Sequence, residues 1–123
     1  MIDEKKIAVL DYKNKEGKIE KVELSTDFKA FKKLNKLTGN AFDTMTKFIY
    51  NENGDRLEVL PILIQAMANK DLTIEEIEEQ WLGMSWNRVT TTCNIILALM
   101  NSEMIKEQID NVEIKNMETP VEE

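Results

Sequence analysis

The chain has 123 residues, 42% hydrophobic and 32% charged, a composition that buries one core and excludes a wholly disordered polypeptide. Its net charge of −7 opposes nucleic-acid binding, which needs a cationic surface to displace counterions from phosphates. Histidine is absent and cysteine occurs once, which excludes a Ser-His-Asp or Cys-His arrangement, a zinc site built on histidine or several cysteines within one chain, and an internal disulfide.

The start, Met1-Ile2-Asp3-Glu4-Lys5-Lys6, lacks the apolar segment of a secretory signal. No apolar run approaches the roughly 18 residues that a membrane span requires. The expectation is a soluble, cytoplasmic protein.

Residues 7–12, Ile7-Ala8-Val9-Leu10-Asp11-Tyr12, and residues 18–24, with Ile19, Val22 and Leu24, read as two strands. The segment Lys13-Asn14-Lys15-Glu16-Gly17 between them supplies a turn, so the pair predicts a hairpin. One face of that hairpin must pack on helices, because an isolated hairpin is marginal. Ser25, Thr26 and Asp27 offer N-caps for a first helix. Its Phe28, Phe31, Leu34 and Leu37, three residues apart, are expected to share one broad inward face. Lys29, Lys32, Lys33 and Lys36 fall largely opposite. They are the one candidate basic patch, and read as a solvated helix face. Gly39 is expected to stop the helix.

A second helix is expected over 41–50, with Phe42, Met45, Ile49 and Phe48 inward. The segment 51–55 is a turn by composition. A third helix covers about 56–69, and Pro61 implies either a start near Leu60, with the proline in the first turn, or a kink at that point; the later start is favoured. Thr73-Ile74-Glu75-Glu76 is a capping box, and Leu72 with Ile77 matches a hydrophobic staple. Gly83 is expected to end that short helix. A last helix from Ser85 to about Gln108 carries an apolar stripe of Trp86, Val89, Cys93, Ile96, Met100 and Met104, with Leu97 beside it and Ile95 and Leu99 widening it. Phe31 and Trp86 are expected in the core. So wide a face reads either as that of a central core helix or as part of an interface; Leu99, Met100 and Met104 are the residues expected to serve protein binding, with a client or with a second copy.

These elements predict an α+β fold, mainly α: an N-terminal β-hairpin packed on a bundle of four to five helices. A single globular domain over 1–110 and a flexible acidic tail over 111–123 are expected.

No catalytic, cofactor-binding or metal-binding residue is assigned. Glu75, Glu76, Glu78 and Glu79 are dense carboxylates, but they sit on a short amphipathic helix whose N-terminal dipole favours acids. The segment 51–55 lacks the alternating ligands and the closing glutamate of a calcium loop. Thr90-Thr91-Thr92 has no base beside it and reads as helix surface, and Cys93 reads as a buried, inert thiol. The seven methionines suit either gap-filling or a surface that adapts to a partner.

The order of elements resembles the tail assembly chaperones of long-tailed bacteriophages and prophages of Gram-positive hosts. The resemblance covers about residues 7–105. It rests on the hairpin ending Val22-Glu23-Leu24-Ser25, the Lys/Phe helix after it, Leu60-Pro61-Ile62-Leu63-Ile64-Gln65-Ala66-Met67, then Leu72-Thr73-Ile74-Glu75-Glu76-Ile77-Glu78, a glycine and a long helix. It implies a non-enzymatic protein of the host bacterial cytoplasm that binds the long helical tape-measure protein and keeps it soluble before the tail tube assembles. Many such proteins also occur in a longer, frameshifted form. The net charge would steer the chain toward a basic client segment. The alternative class is a small intracellular protein-binding regulator or adaptor. In both classes the partner is protein, with neither nucleic acid nor membrane.

Overall fold

A computed structural model describes residues 7–100. Strands β1 (Ile7–Lys13) and β2 (Ile19–Ser25) pair antiparallel, with Ile7 opposite Ser25 and Lys13 opposite Ile19. Asn14 organises the turn. Its Oδ1 accepts from the backbone N–H of Glu16 and of Lys18, both at 2.9 Å, and Gly17 takes a φ of 82° that costs little without a Cβ. Alternation places Ala8, Leu10, Tyr12, Val22 and Leu24 on the buried face. The outer side of β2 is met by the end of the third helix. The Asn69 N–H donates to Glu23 O at 2.9 Å, the Glu23 N–H donates to Asn69 Oδ1 at 3.0 Å, and Leu24 bridges to Ala68.

Five helices follow among the described residues, so the fold is α+β and mainly α, as the sequence predicts. Helix α1 (Phe28–Thr38) starts on Asp27, whose carboxylate accepts from the Ala30 N–H at 2.9 Å, and stops at Gly39 with φ 82°. Its buried residues are Ala30 and Leu34, with Phe31 half-buried. Phe28 and Leu37 are exposed, contrary to the expected shared face. Three residues turn a helix about 300°, so each step of three falls about 60° short, and Phe28 stands about 120° from Leu34. The same arithmetic corrects α2 (Ala41–Tyr50). It buries Ala41, Thr44 and Phe48 and leaves Phe42, six residues before Phe48, facing out.

Helix α3 (Asp55–Met67) begins five residues earlier than the expected start at Leu60 and holds Pro61 in its interior, buried. Arg56 explains the early start. Its backbone N–H donates to Asn51 Oδ1 at 3.0 Å, and its guanidinium donates to the α2 carbonyls of Phe48 (2.6 Å) and Ile49 (2.8 Å). These bonds satisfy acceptors that a helix end leaves orphaned. The carbonyl that Pro61 leaves without an N–H belongs to Leu57, a residue 60% exposed, where water can serve it.

The capping box forms as read. The Glu76 N–H donates to Thr73 Oγ1 and the Thr73 N–H to Glu76 Oε1, each at 3.0 Å, while Leu72 and Ile77 are both buried. Helix α4 (Ile74–Glu76) runs on as a π-helical turn (Ile77–Trp81) and a 3-10 turn (Leu82–Met84). Gly83 does not end the helix as expected; it lies inside the 3-10 turn, which Ser85 caps, where a Cβ would come within 2.8 Å of the Glu78 carbonyl oxygen.

Helix α5 covers the described residues 86–100. Thr92, Cys93, Ile96, Leu99 and Met100 are buried and Val89 half-buried. Trp86 is 90% exposed, not part of the core. It stands about 80° from Ile96, the middle of the buried arc, and about 20° beyond Cys93 at its edge, in the first turn, where fewer elements reach it. The inward aromatic is Trp81. It stacks on Tyr12 with ring centroids 5.6 Å apart, lies under the Arg88 guanidinium at 5.1 Å, and donates its Nε1–H to Thr92 Oγ1 at 3.0 Å. Thr92 is therefore a buried partner, correcting its reading as helix surface; Thr90 and Thr91 are exposed. Arg88 also donates Nη2 to the Asp11 carbonyl on β1, tying α5 to the hairpin. No helix among the described residues is long and apolar enough to cross a membrane.

Candidate protein-binding surface

Side-chain bonds hold the elbow between α1 and α2 in one geometry. Asn35 Oδ1 accepts from the Ala41 N–H at 2.9 Å, Thr38 Oγ1 from the Asn40 N–H at 3.2 Å, and Asn40 Oδ1 from the Asp43 N–H at 3.0 Å. That elbow sets Phe42 against Phe31, edge to face, with ring centroids 5.1 Å apart and planes at 68°. Phe28 lies one turn away, with the Lys32 ammonium 5.7 Å from its centroid. Phe28 and Phe42 are 73% and 72% exposed. Two large aromatics this open, side by side with a third, are not a packing requirement of the fold.

The aromatic group stands at the mouth of an apolar cleft. α1 lines it with Phe28, Phe31 and Leu34, α2 with Met45, α3 with Leu63 and Met67, and α5 with Leu99 and Met100. The cleft holds about 280 Å³. Thr26, whose buried Oγ1 has no hydrogen-bond partner among the described residues, borders it. An open depression of about 600 Å³ continues outward over Phe28, Phe31 and Phe42, flanked by Lys32, Lys33 and Lys36. The two share Phe28 and Phe31, so they form one surface with a flexible, methionine-containing interior and an aromatic lip.

Of the residues expected at an interface, Leu99 and Met100 come together in this cleft, both buried in the core, and Met104 lies outside the described residues. The acidic tail over 111–123 lies outside them as well. Burial changes what substitution at Leu99 does, since a polar group there disrupts packing as well as the cleft wall. The three-residue spacing points Phe28 and Phe42 inward, whereas both face out. The signal was present in their distance, six residues, from Leu34 and Phe48.

The other chemistry-bearing groups are spread over the surface or committed to structure. Glu75, Glu78 and Glu79 are exposed, and Glu76 spends its carboxylate on the cap. Glu20 accepts from Lys70 and Asn14, which hold its carboxyl below the usual carboxylate range. Burial pushes the Cys93 thiol up, away from the reactive thiolate. Among the described residues no group of three His, Cys, Asp or Glu is placed to hold a metal ion. Comparison with protein-family models, with curated proteins and with solved structures finds no match to this chain.

Proposed function

We propose that this chain is a non-enzymatic assembly chaperone that holds an apolar helical segment of a client protein, of the kind that keeps a phage tape-measure protein soluble before the tail tube forms. The observation that carries the reading is the apolar cleft with Phe28, Phe31 and Phe42 at its mouth. Burying exposed apolar surface is worth about 25 cal/mol per Å², so two open phenyl rings favour an occupant whose own surface is apolar. One such contact is weak. Many copies along one long client compound through effective concentration, which suits a task that requires release as well as capture. The order of elements that resembles the tail chaperones supports the same class.

The test is co-expression with a long, helix-rich tape-measure protein. The reading expects that client in the soluble fraction with this chain present and in the pellet without it. A client equally soluble either way, or equally insoluble, overturns the chaperone assignment.

A further inference from the structure

The surface around the cleft has the opposite charge to the chain. Helix α1 carries Lys29, Lys32, Lys33 and Lys36 and no carboxylate, in a protein of net charge −7. Among the described residues none of the four pairs with an acid; the ion pairs there are Lys21–Asp11, Lys47–Asp43 and Lys70–Glu20. Three of the four, Lys32, Lys33 and Lys36, line the depression that holds the exposed phenyl rings. The acids at the start of α1 and in α2 are already engaged, Asp27, which borders the cleft, in capping α1 and Asp43 with Lys47. Steering by net charge acts at long range and is screened beyond roughly 8–10 Å, whereas recognition depends on the charges in contact.

We propose that the occupant of this surface is an amphipathic α-helix of another protein, with aliphatic side chains on one face and acidic residues flanking them. The inference rests on the protein-binding reading above and reverses the sign of client charge that the net charge alone suggests. Charge complementarity sets the acidic flank. The aliphatic face follows from the interior wall of Leu34, Met45, Leu63, Met67, Leu99 and Met100; the one charged group of the lining, Asp27, sits at the start of α1 with its carboxylate on the Ala30 N–H. The helical form follows from backbone accounting. An extended segment laid in an apolar cleft strands its N–H and C=O groups, while a helix satisfies its own. In the cleft wall only the Thr26 hydroxyl is buried and without a partner among the described residues. A nucleic-acid strand fits less well, because four lysines on one helix sit in an otherwise acidic chain and the wall beneath them suits aliphatic groups rather than bases.

The experiment titrates the full chain by calorimetry with two synthetic helical peptides that share one leucine face and carry either glutamate or lysine beside it. The glutamate peptide is expected to bind at least about tenfold more tightly. Reversal of the rim by K32E with K36E should abolish that preference with thermal unfolding unchanged, and F42S should weaken both peptides. Equal or tighter binding of the lysine peptide overturns the inference, as does a preference that survives K32E/K36E. Four further outcomes overturn it too: neither peptide binding, a single-stranded oligonucleotide binding at this face, self-association lost in F42S, or lysine-to-carboxylate cross-links within one chain to residues 103–123 that the peptide does not displace. Failure here with successful co-expression leaves the chaperone reading standing and moves its binding face elsewhere. Peptide binding with failed co-expression leaves the face standing and removes the chaperone role.

Discussion

The indole Nε1–H of Trp81 donates to the Thr92 hydroxyl across 3.0 Å, and both residues are fully buried. Thr92 in turn donates to the Arg88 carbonyl one turn back, at 2.8 Å. The Arg88 guanidinium covers the indole and reaches the hairpin at Asp11. One tryptophan thus joins the π-helical turn, α5 and β1.

Thr92→Val keeps the shape of the side chain and removes the acceptor, so it strands a buried indole N–H. The expected loss is about 1–3 kcal/mol in urea unfolding followed by circular dichroism. Trp81→Ala should cost about 3–5 kcal/mol, because it also empties the site packed by Tyr12 and Arg88. A Thr92→Val protein as stable as the parent would show that the bond contributes nothing.

Gly83→Ala is expected to destabilise by about 1–3 kcal/mol, since the atom its Cβ meets at 2.8 Å is a backbone oxygen that cannot rotate away. The loss should appear as a lowered denaturation midpoint with an unchanged slope. A midpoint equal to the parent's would mean the π-helical turn yields freely.

The two tryptophans should behave oppositely. Trp86→Ala is expected to shift stability by less than about 0.5 kcal/mol, and acrylamide should quench the emission of Trp86 while sparing that of Trp81. The same contrast separates the lip from the wall of the cleft. Phe42→Ser should leave unfolding nearly unchanged and weaken binding of the helical test peptides. Leu99→Ala should cost about 2–5 kcal/mol.

The Glu20 carboxyl is held down first by its hydrogen bond from Lys70 and then by that from Asn14. A carboxyl whose folded-state pKa is depressed contributes stability fully above its unfolded value, near 4.5, and loses it as the pH falls through the lowered folded-state value. Glu20→Gln should therefore flatten the decline in stability over that acidic window and leave its shape near neutrality unchanged. An acid limb identical in both proteins would show that the Lys70 and Asn14 bonds do not persist in solution.

Local signals carried most of the fold. The alternation around Ile7–Lys13 and Ile19–Ser25, the Asp27 and Thr73 caps and the stop at Gly39 all act within a few residues, so they are visible in the chain. What escaped was settled by distant partners or by phase. Arg56 reaches back to the α2 carbonyls and starts α3 ahead of Pro61. Thr92 is buried because Trp81, eleven residues earlier, needs an acceptor. Phe28 and Phe42 match a three-residue spacing whose accumulated lag turns them outward, whereas Trp86 lies just past the edge of the buried arc in the first turn of α5. The cleft was legible only in part. Leu99 and Met100 were singled out, but their aromatic lip and its lysine flank emerge only when α1 and α2 are folded against each other.

The Asn69 bonds to Glu23 bear on how the molecule opens. Two residues 46 positions apart exchange backbone protection, so the amide hydrogens of Glu23 and Asn69 are shielded from solvent deuterium only while the ribbon and the helical layer stay docked. Their exchange should track the slowest amides of α3 rather than those of the Asn14 turn. The hairpin then cannot peel away as a separate foldon, and any opening of the cleft leaves the docked framework intact.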